Sequence, residues 1–212
     1  KGSMTSPEGY AELFDLTAPV VKEVCPESRI IGFAVTQHTA FTLRGRRWIQ
    51  RSLQAMTHGE LLDIISFHSY LYPPDKTYED DVNALHEVVA AYRPEIELWM
   101  GESGYPSMPG GSGAKANKDK TSETIQAKWL TRHICCNLGI ESIGLVSWHQ
   151  AIDLIKYRNG TLNPKGLLRG DDASRKPSFF AYQTLCSLFP GDTRPVPRMW
   201  GAYLPGRTTT EH

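Results

Sequence analysis

Glu102 follows Leu98-Trp-Met-Gly101, a short apolar run, so it falls where a strand gives way to a loop. A lone carboxylate half-buried at such a place is costly unless it is paired or put to use. Spacing alone leaves two readings open: a working acid, or a structural Glu that caps the next segment or pairs with an arginine. A second apolar run ends in Ser66-Phe-His68-Ser-Tyr70, where His68 and Tyr70 are two apart and share one side of an extended strand. A third ends in Ser147-Trp148-His149-Gln150, and a fourth, the earliest in the chain, ends near Thr36, Gln37 and His38. These strand ends together offer a carboxylate, a phenol, an indole and neutral hydrogen-bonding groups. Sugars call for that mixture, because their C–H faces stack on aromatic rings and their hydroxyls need paired polar groups.

Rival chemistries are weaker. Gly101-Glu-Ser103-Gly-Tyr105 approximates a nucleophile elbow, but Tyr105 stands where Gly-x-Ser-x-Gly requires its second glycine. A serine esterase is thus a minor alternative. His149, Gln150 and Asp153 read as solvated loop residues, as does the Asp171-Asp172 turn. His38, His58, His86 and His133 show no metal-ligand spacing, and no metal or other cofactor is implied. The four cysteines form no Cys-x-x-Cys pair and are expected on buried faces as small apolar residues.

The elements that must position these side chains follow from periodicity. Apolar runs at Arg29–Val35, Leu62–Phe67, Ile96–Met100 and Ile143–Trp148 alternate with helical patterns, which predicts strands buried on both faces. Ser6 and Pro7 open the first helix, whose stripe is expected to be Tyr10, Leu13, Phe14, Thr17, Val21 and Val24. Further helices are predicted over Trp48–Thr57 and Tyr78–Tyr92, the latter with Val82, Leu85, Val89 and Tyr92 inward. A long helix capped by Ser122 carries Ile125, Trp129, Arg132, His133 and Cys136, and a closing helix runs from Pro177 to about Phe189. Residues 106–121 read as a loop. This rhythm is βαβ arithmetic and implies a parallel sheet in an α/β fold, either a doubly wound open sheet or part of a (β/α)8 barrel. No dinucleotide or Walker motif recommends the former. After Phe189 the turn-rich Pro190–Pro197 breaks the pattern, and Met199–Leu204 suggests one strand of something further.

Composition narrows the partners. Lys plus Arg and Asp plus Glu are both 23, so the chain is neutral and gives no electrostatic reason to expect nucleic acid or an anionic membrane surface. No apolar run approaches the roughly 20 residues that span a bilayer.

Ile64-Ile-Ser-Phe-His68-Ser-Tyr70, Leu98-Trp-Met-Gly-Glu102-Ser-Gly-Tyr105 and Gly144-Leu-Val-Ser-Trp148 resemble, in order and spacing, the sixth, seventh and eighth strands of clan A glycoside hydrolases. Arg175-Lys-Pro-Ser-Phe-Phe-Ala-Tyr182 resembles that barrel's final helix, and the likeness is nearest to family 39, with family 5 as neighbour. It covers about residues 7–190. The resemblance implies a (β/α)8 barrel that cleaves glycosidic bonds with retention. It places the nucleophile on Glu102, sugar contacts on His68 and Tyr70, and a sugar platform on Trp148.

In that clan the acid/base glutamate lies in an Asn-Glu pair ending the fourth strand, and this sequence has no Asn-Glu pair. The expectation is therefore the last four βα units of the barrel over residues 1–190, with 191–212 a linker and the start of a downstream β segment. The missing N-terminal half of the barrel would be the partner, and the chain alone would be nearly inactive. A parent that is secreted or periplasmic is compatible with this, although the chain shows no signal region; Asn159-Gly-Thr161 fits a glycosylation sequon. The alternative is a non-catalytic carbohydrate-binding or scaffold protein derived from the same barrel.

Overall fold

The computed structural model describes residues 5–70, 77–108, 121–157 and 160–195. Met199–Leu204, Asn159 of the sequon and most of the 106–121 loop lie outside the described residues. Each predicted apolar run contains a strand: β1 (Ile31–Thr36), β2 (Ile64–His68), β3 (Glu97–Glu102) and β4 (Ile143–Val146). All pair in parallel in the order β1-β2-β3-β4. The crossovers are α2 (Gln37–Ala40) with α3 (Leu43–Ala55), then α4 (Tyr78–Ala90), then α5 (Glu123–Leu138). Helix α1 (Pro7–Val24) precedes the sheet and α6 (Pro177–Leu188) follows it. Strands that add in sequence order, with no reversal, give the winding of a barrel, whereas a doubly wound sheet switches direction at its centre. The architecture is that of four consecutive βα units of a (β/α)8 barrel.

The main core lies between the sheet and α1, α3 and α4. Ile65, Phe67, Leu98 and Met100 are fully buried against Leu53, Val82, Leu85 and Val89. Each such side chain contributes about 1.5–3 kcal/mol on leaving water. A second cluster of Leu130, Ile134, Trp148 and Leu185 joins α5 to α6. Local caps fit the sequence: Ser6 Oγ accepts from Gly9 N at 3.0 Å, and Ser122 Oγ from Ile125 N at 3.1 Å.

Several expectations need correction. In α1 the buried stripe is Ala11, Phe14 and Ala18, while Leu13 and Val24 are 58% and 81% exposed. The small residues win because α1 lies close against α3 and the edge of the sheet. In α5 the buried stripe is Gln126, Leu130, His133, Ile134 and Asn137, one position on from most of the expected set. Hydrophobicity alone misses it because Gln126 and Asn137 are buried through hydrogen bonds. Gln126 Nε2 donates to Tyr105 O at 2.8 Å and accepts through Oε1 from Ser178 Oγ at 2.9 Å. Strand β1 is an outer strand, with Ile31 50% exposed, so it is not buried on both faces. Cys25, Cys135 and Cys186 are exposed and Cys136 is half-buried, against the expected burial.

His133 is fully buried under Tyr78, whose ring meets it edge-on. Asn137 Nδ2 lies 2.6 Å from His133 Nδ1, and Tyr78 Oη donates to Asn137 Oδ1 at 2.6 Å. An amide donor facing Nδ1 requires that nitrogen to be unprotonated. Burial pushes the imidazole down to about 4. The unfolded chain takes up this proton near pH 6.5 and the folded chain only near 4, so stability present above 6.5 is lost as pH falls through that window. From pH 7 to pH 5 the loss from this group is about 2 kcal/mol. Urea unfolding at the two pH values checks it: His133→Gln should show a smaller drop in midpoint than the wild-type chain.

Candidate active site

The strand ends converge as the sequence implies. Parallel register sets Thr36 beside His68 and His68 beside Glu102, so three strands deliver their last residues to one rim. A register shift between Phe67 and His68 brings His68 opposite Glu102 instead of Gly101. Gly101 permits this closeness, since a Cβ there would stand 2.2 Å from Ser66 Oγ.

Glu102 is one-third exposed and its two oxygens have different partners. Tyr70 Oη donates a hydrogen bond to Oε1. His68 Nδ1 lies 3.4 Å from Oε2. The carboxylate therefore stands among a phenol and an imidazole, not in an arginine clasp. The backbone holds the same assembly: Ser69 N donates to Glu102 O at 3.0 Å, and Tyr70 N donates to Gln37 Oε1 at 2.5 Å. Gln37, at the start of α2, fixes the loop that carries Tyr70.

Trp148 sits just beyond β4, only 8% exposed, within the second core cluster. Its Nε1 donates to Lys165 O at 3.0 Å. The indole thus props the long β4–α6 loop. His149 follows it through a cis peptide to Gln150, and His149 N donates to Ser103 O at 2.6 Å. Burial lowers the His149 imidazole below its ordinary range; the Glu102 charge works against this, while Lys165 and His68 add to it. Ser103, the rival nucleophile, is fully buried.

Sequence reasoning missed Lys165. It lies in a loop without periodicity, two residues after Asn163 and next to Pro164, and nothing in its spacing marks it. Lys165 is held at three points, one on its backbone and two on its side chain. The backbone carries Trp148, the Cδ lies 3.0 Å from where a Cβ on Gly104 would stand, and Nζ donates to Asn163 Oδ1 at 3.0 Å. Nζ also sits 5.6 Å from the Tyr70 ring centroid. Burial lowers the ammonium's affinity for its proton and the Glu102 charge raises it.

Asp153 is also unlike its sequence reading. It is buried, not solvated, and its Oδ1 accepts from Lys176 Nζ at 2.7 Å and from Gly166 N at 2.8 Å. Lys176 Nζ also donates to Ser107 Oγ at 3.0 Å. This fully desolvated pair clamps the loop that supports Trp148 and Lys165.

No protein-family model matches the chain, and no curated protein matches it. Solved structures do. A glucosidase from Croceicoccus marinus aligns with TM-score 0.64 at 16% identity, over 86% of this chain and 36% of that one. The agarase AgWH50C aligns at 0.62 and 14%, over 89% and 27%. A thermostable mutant of the xylanase Xyn10A from Cellvibrio japonicus aligns at 0.56 and 13%, over 83% and 54%. At these identities the likeness is one of fold. The chain spans about a quarter to about half of the length of these neighbours, whose own descriptions are those of carbohydrate-cleaving enzymes.

Proposed function

We propose that this chain is the nucleophile-bearing part of a retaining glycoside hydrolase of clan A, near family 39 or family 5. The observation that carries the reading is the Tyr70–Glu102–His68 assembly at the C-terminal rim of a parallel barrel-type sheet, where such folds place their chemistry. Glu102 attacks the anomeric carbon and forms a glycosyl-enzyme, which water then hydrolyses. The phenol of Tyr70 steadies one carboxylate oxygen, leaving the other to react. His68 stands where it can contact the hydroxyls of the bound sugar. Trp148, 8% exposed, presents only a small part of its indole for the platform role expected of it.

Retention also needs a second carboxyl about 5–5.5 Å away, to protonate the leaving oxygen and then activate water. Among the described residues no second acid stands against Glu102, and the chain lacks an Asn-Glu pair. The reading assigns that acid to the N-terminal βα units of the barrel, which pair against the outer strands β1 and β4.

The test is a panel of aryl glycosides given to the protein expressed from its full reading frame, with the anomer of the first product read by proton NMR. Retention of configuration is expected; inversion, or no hydrolysis of any member, removes the proposal. Tyr70→Phe should lower kcat by about 10-fold or more with a smaller change in KM, since it removes a hydrogen bond to the reacting group. Unchanged kcat in that variant would detach Tyr70 from the nucleophile.

A further inference from the structure

Strand β1 ends at Thr36, which pairs with His68, and the chain turns into α2 at the next residue. The ladder between β1 and β2 therefore cannot continue through the backbone, although β2 leads on to Tyr70. An amide left there needs an acceptor. It finds one in a side chain: Tyr70 N donates to Gln37 Oε1 at 2.5 Å, across 33 residues of sequence. An N–H donor fixes which end of the glutamine amide faces it, so the oxygen is turned to the loop. Gln37 carries the strand pairing one step past the point where the backbone has left it.

The bracket that presents Gln37 is built into the core. Phe41 closes the single turn of α2, its N donating to Gln37 O at 2.9 Å. Its ring meets Phe67 of β2 edge-on at 5.6 Å and Tyr78 of α4 at 5.7 Å. Helix α3 presses on the same turn: a Cβ at Gly45 would stand 2.0 Å from Thr39 O. On its other side the Tyr70 loop is tied to β3, where Ser69 N donates to Glu102 O at 3.0 Å. One anchor sets how far the loop lies from Glu102, and the other sets which way the Tyr70 backbone turns. The phenol oxygen is the far end of a rigid side chain, so a small turn of that backbone is magnified at Oη. A misplacement of about 1 Å in a reacting assembly costs about 100-fold in rate.

Resting on the function proposed above, we propose that Gln37 is a positioning residue of the reaction: by holding Tyr70 N it aims the phenol at Glu102 Oε1. Its effect on turnover runs through that phenol and not through contact with the sugar. A glutamine that bound the sugar instead would change KM, and would act whether or not the phenol were present.

The experiment is a double-mutant cycle of Gln37→Met and Tyr70→Phe, on the protein expressed from its full reading frame, with the 4-nitrophenyl glycoside that it turns over fastest. Methionine fills a similar space and has no carbonyl to accept from the amide. Gln37→Met should lower kcat by about 5-fold or more, with KM changed by less than about 2-fold. In the Tyr70→Phe background the same substitution should change kcat by less than about 2-fold, because the bond it aims is already gone. Gln37→Glu keeps an acceptor and should retain more of kcat than Gln37→Met. Each kcat is divided by the folded fraction read from circular dichroism, so partial unfolding does not enter the cycle. An unchanged kcat in Gln37→Met, an equal loss in both backgrounds, or a Gln37→Glu no better than Gln37→Met overturns the positioning role while the glycosidase reading stands. If the wild-type protein hydrolyses no member of the panel, both fall.

Discussion

Replacing Glu102 by glutamine should lower turnover of the protein expressed from its full reading frame by three or more orders of magnitude. Glutamine keeps the shape and still accepts from Tyr70 Oη through its side-chain oxygen. It lacks the negative charge and the lone-pair basicity needed to attack the anomeric carbon. Loss of a nucleophile in a covalent mechanism costs about as much as loss of the whole catalytic group, because the remaining residues act through it. Glu102→Gly adds a sharper expectation. Azide entering the vacated space should attack from the same face and release a glycosyl azide of inverted configuration from an activated aryl glycoside. Near-normal turnover in Glu102→Gln, or a variant deaf to azide, would separate the carboxylate from the chemistry.

Lys176→Met should carry the largest stability cost of any substitution outside the sheet. Both partners of the Asp153–Lys176 pair are almost wholly out of water, with side-chain exposures of 4% and 0%. Removing one leaves the other's charge buried, which costs about 3–5 kcal/mol. For a chain of this size that is a fall in melting temperature of about 10 °C. The damage should be local first. Amide exchange should rise across 147–157 and 160–176, because Asp153 Oδ1 also accepts from Gly166 N and Lys176 N donates to Leu167 O. Combining Lys176→Met with Asp153→Asn removes both charges and should recover a good part of the loss. Equal stability of wild type and Lys176→Met in a thermal melt would show that the pair contributes nothing net.

The strands and the meeting of Glu102, His68 and Tyr70 on one rim were legible because they depend on signals a sequence carries openly. Four short apolar runs at βαβ spacing could only be a parallel sheet, and residues at their ends must share a rim. Glu102, His68 and Tyr70 meet for that reason. What escaped was held by polar burial, which has no period. Gln126 and Asn137 turn the buried face of α5 by one residue because their hydrogen bonds repay their desolvation. Asp153 reads as a solvated loop residue and Lys165 carries no signal in the sequence, yet each is desolvated against a partner that lies far off in sequence or on no regular element. The exposed Leu13 and Val24 of α1 were misjudged in the opposite sense: helical spacing shows that residues share a face, not that a neighbour covers it.

An epoxide-bearing sugar and a serine-directed phosphonate, given side by side to the protein expressed from its full reading frame, put the central assignment to the test. The epoxide is opened by the carboxylate placed to attack the anomeric carbon, and peptide mapping identifies the residue. The account predicts one sugar adduct, on Glu102, abolished in Glu102→Gln, with no phosphonate adduct on Ser103. A sugar adduct on any other residue, or a phosphonylated Ser103, would contradict it.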